Sequence, residues 1–372
     1  MGNQSRSQSL LTRLVQMEVL PGRPVENTAV ILEHIRNAKK EKIKLIVFPE
    51  MAVPGYLIGD LWEFHSFIKE CELCTREIIS ASEKIVTVFG NIAIDWRKTN
   101  EDGRVRKYNA LFVAENRKLK SPKNSPYPFV IKTLLPNYRE FDESRYFYDL
   151  RKLSLELGKP LGKLISPVLT SLGNIACFLC EDAWDMDYAQ SPIKSLASHN
   201  PDIFINISAS PFTINKNAKR NRVYARHAIN LGRPIIYVNH TGIQNNGKTV
   251  FTFDGRSCIY DAHGNSIEVA NPFEEAVLTY NIPLSSKVKF GKPIDISNDT
   301  IAEVYNAINY GTSRFLKLCN ADKVTIGISG GIDSAVAAAI YRKILSPTNL
   351  LLVNMPGEFT SSTTISLARI LA

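Results

Sequence analysis

Two hydrophobic periods alternate along most of the chain. ENTAVILEHIRNAKKEK (26–42) spaces its apolar positions three and four residues apart and predicts an amphipathic helix, after which IKLIVFPE reads as a strand. IVTVFGNIAID, YNALFVAE, NIACFLCED, DIFINIS and PIIYVN are short runs rich in Val, Ile and Phe and predict further strands. FHSFIKECELCTREIISASEK has helical spacing, and AKRNRVYARHAINLG predicts a helix that stops on Gly232. FDGRSCIYDAHGNSI predicts a hairpin turning at Gly-Asn. The expectation is one large α/β sandwich of sheets with helices outside.

The periodicity lapses in NIPLSSKVKFGKPIDISNDT, where Pro, Gly and Ser cluster. We therefore divide the chain into a domain over 1–285, a linker over 286–298 and a second domain over 299–372. The second domain predicts a helix from Asp299 to Cys319, a strand VTIGIS, a helix from Ala335 to Leu345, a strand NLLLVNMP and a last helical start. This is a strand-helix-strand unit of a parallel sheet, right-handed by the usual rule. Roughly 70 residues with two strands do not cover both faces of such a sheet, so the expectation is a domain cut short. No repeat of fixed period is visible.

Composition adds exclusions more than assignments. Of 372 residues 44% are hydrophobic and 22% charged, the balance of a folded domain, and no apolar run approaches the ~20 residues of a bilayer helix. The first residues hold no apolar segment followed by a small-residue cleavage site, so the expected compartment is the cytoplasm, without membrane contact. The net charge is +9, yet no basic run carries interleaved aromatics, and nucleic-acid binding is not expected. Cys71 and Cys74 share a helix face without a zinc-knuckle turn, and Cys177 and Cys180, read as one strand, point to opposite faces. Reduced thiols are the expectation.

GISGGIDSAVAAAI places Gly327, Ile328, Ser329, Gly330, Gly331, Ile332, Asp333 and Ser334 between a strand and an alanine-rich helix. Small residues there let backbone amides close on a phosphate at the positive end of the helix, and Asp333 is a carboxylate suited to Mg²⁺. A bare Gly-Gly turn would carry no such meaning, and no Walker Gly-Lys-Ser/Thr follows. Elsewhere Glu50, Lys132 and Cys180 stand at three predicted strand ends. Separately they read as a solvated end, a surface lysine and a core cysteine. A thiol of pKa near 8.5 needs a base and a nearby cation to act as a nucleophile, and these three supply that set. Cys177 competes with Cys180 but lies farther from the polar exit Glu181-Asp182. His34, His65, His199, His227, His240 and His263 have no distinguishing context.

Glu50, Lys132 and Cys180 in that chain order resemble the nitrilase (carbon-nitrogen hydrolase) superfamily, and SGGIDS resembles the loop of ATP-pyrophosphatase amidating enzymes. The combination of FPE, KTLLPNYREFDESRYF, CEDAW, SASPF, GISGGIDSA and MPGEFTSS resembles the glutamine-dependent NAD⁺ synthetases. The resemblance implies a four-layer α-β-β-α nitrilase sandwich followed by the start of a Rossmann-like ATP-pyrophosphatase domain. It also implies a ligase that amidates deamido-NAD⁺ with ammonia released from L-glutamine, using ATP and Mg²⁺. Glu143 matches the superfamily's second glutamate; Tyr138, Ser210 and Lys216 would contact glutamine. Kinship further implies a homo-oligomer and an ammonia tunnel. TGIQNNGKTVFTFDG departs from the family's GGQxELVFDG-like stretch. The competing readings are a stand-alone amidase with a vestigial nucleotide-binding tail and a non-catalytic scaffold, in which the three groups would lie apart.

Overall fold

Helical crossovers between parallel strands build the larger part of the structure, a computed structural model that describes residues 9–139, 141–245, 247, 249–284 and 300–372. The expected linker over 286–298 lies outside the described residues. The chain divides into two units, Met1–Asn298 and Asp299–Ala372. In the first, β1 (Ser9–Gln16), α1 (Pro24–Lys40), β2 (Leu45–Val47), α2 (His65–Ala81), β3 (Val86–Thr99), β4 (Val105–Glu115), β5 (Lys118–Lys120) and β6 (Val130–Ile131) come first. They are followed by α3 (Leu150–Glu156), α4 (Leu161–Leu164), β7 (Val168–Thr170), β8 (Gly173–Leu179), α5 (Pro192–Ala197), β9 (Ile203–Ser208), α6 (Lys216–Leu231) and β10 (Ile235–Asn239). The unit ends with β11 (Thr241–Asn245), β12 (Val250–Asp254), β13 (Cys258–Tyr260), β14 (Ser266–Val269) and β15 (Ala276–Pro283).

One sheet runs β15-β1-β2-β3-β4-β5, with β6 also on β4, and the other runs β14-β13-β10-β9-β8-β7. Within the first, β1, β2 and β3 are parallel, joined by α1 and α2; within the second, β8, β9 and β10 are parallel, joined by α5 and α6. Leu14, Val47, Val88 and Leu111 from one sheet meet Cys177, Leu179, Ile205 and Val238 from the other in a dry inner layer. The outer faces carry the helices: Ile31 and Ile35 of α1, Ile78 of α2, and Tyr224 and Ala228 of α6 are buried. This is the expected α-β-β-α sandwich, and because its central strands are covered on both faces they read as continuous apolar runs. The predicted hairpin is β13–β14, and α6 ends on Gly232 in the left-handed conformation.

The second unit contains α7 (Thr300–Leu318), β16 (Val324–Gly327), α8 (Ile332–Ile344), β17 (Leu350–Val353) and α9 (Ser362–Leu371). The two strands are parallel, as the sequence pattern predicts. Helix α8 starts three residues before the expected Ala335, because Gly331 in extended conformation releases the chain directly into Ile332. Ile328, Ala338 and Ala368 form its small core, with Ile326 and Leu352 against them.

The sheet also fixes the turn that carries Glu50. Gly90 of β3 donates its N–H to Pro49 O at 3.0 Å, and a Cβ on it would stand 2.5 Å from Met51 N and 2.6 Å from Glu50 Cα. Only glycine allows that approach. Gly90→Ala is expected to lower stability by about 1–3 kcal/mol, the usual cost of overpacking. Urea unfolding checks this; an unchanged midpoint would show that the turn yields freely.

Candidate active site

Three loop starts deliver the predicted chemistry to one place. Glu50 follows β2, Lys132 follows β6 and Cys180 follows β8, each just past the carboxyl end of its strand. Met51 (φ 48°) and Cys180 (φ 35°) hold left-handed backbone, which bulky L-residues rarely adopt and which turns the chain sharply at the base and at the thiol. The reading of Cys177 and Cys180 as members of one strand is corrected here. The strand ends at Leu179, and Cys180 opens a 3-10 turn, Cys180–Ala183. Cys177 stays in the inter-sheet layer.

At the centre, Lys132 Nζ donates to Glu50 Oε1 at 2.8 Å and to Glu143 Oε1 at 2.5 Å. All three side chains are buried, with exposures of 0%, 0% and 3% for Lys132, Glu50 and Glu143. The Tyr56 hydroxyl donates to Glu143 Oε1 at 2.5 Å, and the Ala209 N–H to Glu50 Oε2 at 2.7 Å. Burial opposes the charge on Lys132, but Glu143, Glu50 and the Cys180 thiol together hold its pKa well above the usual lysine range. Glu143 is pushed up to about 7 by burial, against the pull of Lys132 and with repulsion from Glu50.

The Cys180 thiol is pushed up to about 12, first by burial and then by Glu50, while Lys132 and Lys216 act in the opposite direction. The resting thiol is therefore protonated and must hand its proton to a neighbour as it attacks. Glu50 has the capacity: its Oε1 already accepts from Lys132 and Asn109, whereas Oε2 accepts one backbone N–H and keeps a lone pair.

The residues read as glutamine contacts gather at the same loops. Tyr138 donates to Glu181 Oε2 at 3.1 Å and is half exposed. Ser210 is buried and held through its backbone by Asn239. Lys216 opens α6, with Nζ 3.1 Å from Pro211 O and 5.7 Å from the centre of the Phe141 ring. Sequence reasoning missed four further groups. Glu181, buried beside the thiol, also accepts from Tyr188 at 2.9 Å. Asp182 accepts the N–H groups of Thr133, Leu134 and Leu179, tying the lysine loop to the cysteine loop across 49 residues. His227 bonds Ala183 O at 2.8 Å and so braces the same 3-10 turn. Asn109 donates to both carboxylates. A polar residue inside YNALFVAE, where every position of β4 is buried, was the available signal for the last.

The phosphate-loop candidates lie in the second unit. Gly327 ends β16, Ile328 is buried in the core, and Ile332 is exposed at the start of α8. Ser329 Oγ accepts the Gly331 N–H at 3.2 Å, and the Ser334 hydroxyl donates to Gly331 O at 3.0 Å. Gly330 has φ +86°, and a Cβ there would meet Thr364 O of α9 at 2.2 Å. The SGGIDS loop and the segment after MPGEF are thus packed together at the head of α8. Asp333 stands in the first turn of α8. Among the described residues no group of three or more His, Cys, Asp or Glu side chains could hold a metal ion. A single carboxylate still fits Mg²⁺, which keeps waters and phosphate oxygens as most of its ligands.

Residues 11–289, which carry the sandwich with a thiol, an ammonium and two carboxylates at its strand ends, match the carbon-nitrogen hydrolase family. The chain belongs to that family. Residues 304–372 match the NAD synthase family, so the domain combination is that of the glutamine-dependent NAD⁺ synthetases. The enzyme of that name from Synechocystis is 26% identical over 367 residues, covering 96% of this chain and 62% of its own length. The one from Acinetobacter baylyi is 29% identical over 343 residues, covering 91% and 56%. A solved structure of glutamine-dependent NAD⁺ synthetase from Acinetobacter baumannii in complex with ADP superposes with a TM-score of 0.79 at 27% identity, covering 97% of this chain and 62% of that one. The chain thus spans less than two thirds of the length of these relatives. No described helix is long and apolar enough to cross a membrane.

The carboxyl of Glu143 binds its proton more tightly in the folded state, so its contribution to stability is full below 4.5 and is lost as pH rises through about 7. Glu143→Gln is therefore expected to raise the urea midpoint more at pH 8 than at pH 5. A difference that is flat with pH would contradict the assigned environment.

Proposed function

We propose that the chain is the glutaminase domain and the beginning of the synthetase domain of a glutamine-dependent NAD⁺ synthetase, with the domains over 1–285 and 299–372. The observation that carries the reading is the Glu50–Lys132–Glu143 network at a buried thiol, followed in the chain by the SGGIDS loop at the head of α8.

In the first domain, Cys180 Sγ attacks the side-chain amide carbon of L-glutamine while its proton passes to Glu50 Oε2. Lys132, held by two carboxylates, would favour the developing negative charge. The proton then moves from Glu50 to the leaving nitrogen, ammonia departs, and a thioester remains on Cys180. Water, losing its proton to Glu50, attacks that thioester and releases glutamate, which restores the thiol. Glu143 positions Lys132. Tyr138, Ser210 and Lys216 line the approach, and the buried Glu181 carboxylate is the natural partner for the substrate's α-ammonium, with Lys216 for its carboxylate.

In the second domain, backbone amides of 327–334 at the head of α8 would bind the phosphates of ATP. Asp333 would hold Mg²⁺, which neutralises phosphate charge. The carboxylate of deamido-NAD⁺ attacks the α-phosphorus of ATP and pyrophosphate leaves, giving the adenylate; ammonia then attacks the acyl carbon, loses a proton and displaces AMP to give NAD⁺. The full enzyme is read as a cytoplasmic homo-oligomer.

Diazo-oxo-norleucine, an electrophile shaped like glutamine, is expected to add one adduct at Cys180, lost in Cys180→Ala and retained in Cys177→Ala. In the full polypeptide, Cys180→Ala should abolish NAD⁺ formation with glutamine and spare it with ammonium chloride. Asp333→Ala should abolish both while sparing glutamate release. Ammonia release from small amides with no NAD⁺ formed from ATP and deamido-NAD⁺ would favour the amidase reading and overturn this one.

A further inference from the structure

Asn109 sits in β4 opposite Ile92, on a strand whose every residue is buried, where an apolar side chain would serve packing best. Its Nδ2 instead donates to Glu50 Oε1 at 2.7 Å and to Glu143 Oε1 at 3.3 Å. These are the same two oxygens that Lys132 Nζ binds, at 2.8 and 2.5 Å. Its main-chain carbonyl also accepts the Lys132 N–H at 3.0 Å, so one residue touches every member of the charged triad. The amide orientation is fixed by its surroundings: the flipped side chain would turn a carbonyl oxygen toward two carboxylates. The orientation leaves Asn109 Oδ1 buried without a hydrogen-bond partner, a cost that packing alone does not explain.

We propose that Asn109 is a positioning residue of the thiol site, a second donor that keeps Glu50 and Glu143 together around one ammonium and leaves a lone pair on Glu50 Oε2 to take the Cys180 proton. The inference rests on the reading of Glu50 as that proton acceptor. Two carboxylates around one ammonium repel each other in a buried site, and Lys132 Nζ reaches only one oxygen of each. Asn109 adds a donor without adding charge. When Glu50 Oε2 is protonated, Oε1 remains anchored, so the proton comes and goes without the side chain turning. The charged and titratable groups that face this unit are Lys132, Glu50, Glu143, the Tyr56 hydroxyl, the Cys180 thiol and Asp182, which burial pushes up to about 7. Glu181 and Lys216 act on the thiol, the hydroxyls of Tyr138, Tyr224 and Tyr237 face Cys180, and that of Tyr188 faces Lys132.

The test is the pH dependence of Cys180 alkylation by iodoacetamide, with the adduct located by mass spectrometry, in the wild-type chain, Asn109→Val and Asn109→Asp. Valine suits a buried strand and removes the donor; aspartate keeps the shape and adds a third carboxylate. Asn109→Val is expected to slow alkylation at pH 7 about tenfold and to move its acidic limb up by about one to two pH units, the effect of losing a hydrogen bond to a charged group. Asn109→Asp should shift it further. A purely structural role would lower the melting temperature and leave the profile of the folded protein in place, and that result would overturn the proposal. Alkylation involves no glutamine. A shifted profile in a chain that releases no ammonia from glutamine would retire the glutaminase reading alone, and an unshifted profile with glutaminase intact would retire Asn109 alone.

Discussion

Burying a charged side chain costs several kcal/mol after relaxation, and the first unit buries three within hydrogen-bond reach. One ammonium, Lys132, is shared by Glu50 and Glu143, and removing it would leave two carboxylates in the interior with no cation between them. Much of the surrounding architecture answers to that constraint. Tyr56 and Asn109 supply uncharged donors to the carboxylates, Ala209 supplies a backbone N–H, and Asp182 ties the loop after Lys132 to the turn that carries Cys180. In the proposed reaction the thiol would then meet a base and a cation whose positions are set before any substrate arrives, the preorganisation that electrostatic catalysis requires.

The sandwich makes this convergence possible because parallel strands end at the same edge. β2 and β8 belong to different sheets, yet each releases a candidate site residue, Glu50 or Cys180, just beyond its carboxyl end. The turns are sharp, at Met51 and Cys180, and the first is allowed only by the bare backbone of Gly90 beneath it. Packing, backbone conformation and chemistry are thus fixed by the same few residues.

The strands and helices were legible because the first unit buries its sheets on both faces, and the apolar runs IKLIVF, NIACFL and DIFINIS announce that directly. Glu50, Lys132, Glu143 and Cys180 were legible through their order in the chain, and the structure brings them to one place. What the sequence did not disclose was set by contacts between distant segments. Asn109, Asp182 and His227 acquire meaning only when 109 meets 50 and 143, when 182 meets 133, and when 227 meets 183. The misread face of Cys180 has a local cause: strand alternation was carried one residue too far, past the end of β8 into a left-handed turn that side-chain pattern does not encode.

The central claim is that the charge on Lys132 makes the buried thiol reactive. The most direct measurement is the second-order rate of Cys180 alkylation at pH 7 in Lys132→Met, a near-isosteric change that removes only the ammonium. The account predicts a fall of about a hundredfold or more, the scale set by losing a preorganised charge beside a nucleophile. A rate equal to that of the wild-type chain would contradict it.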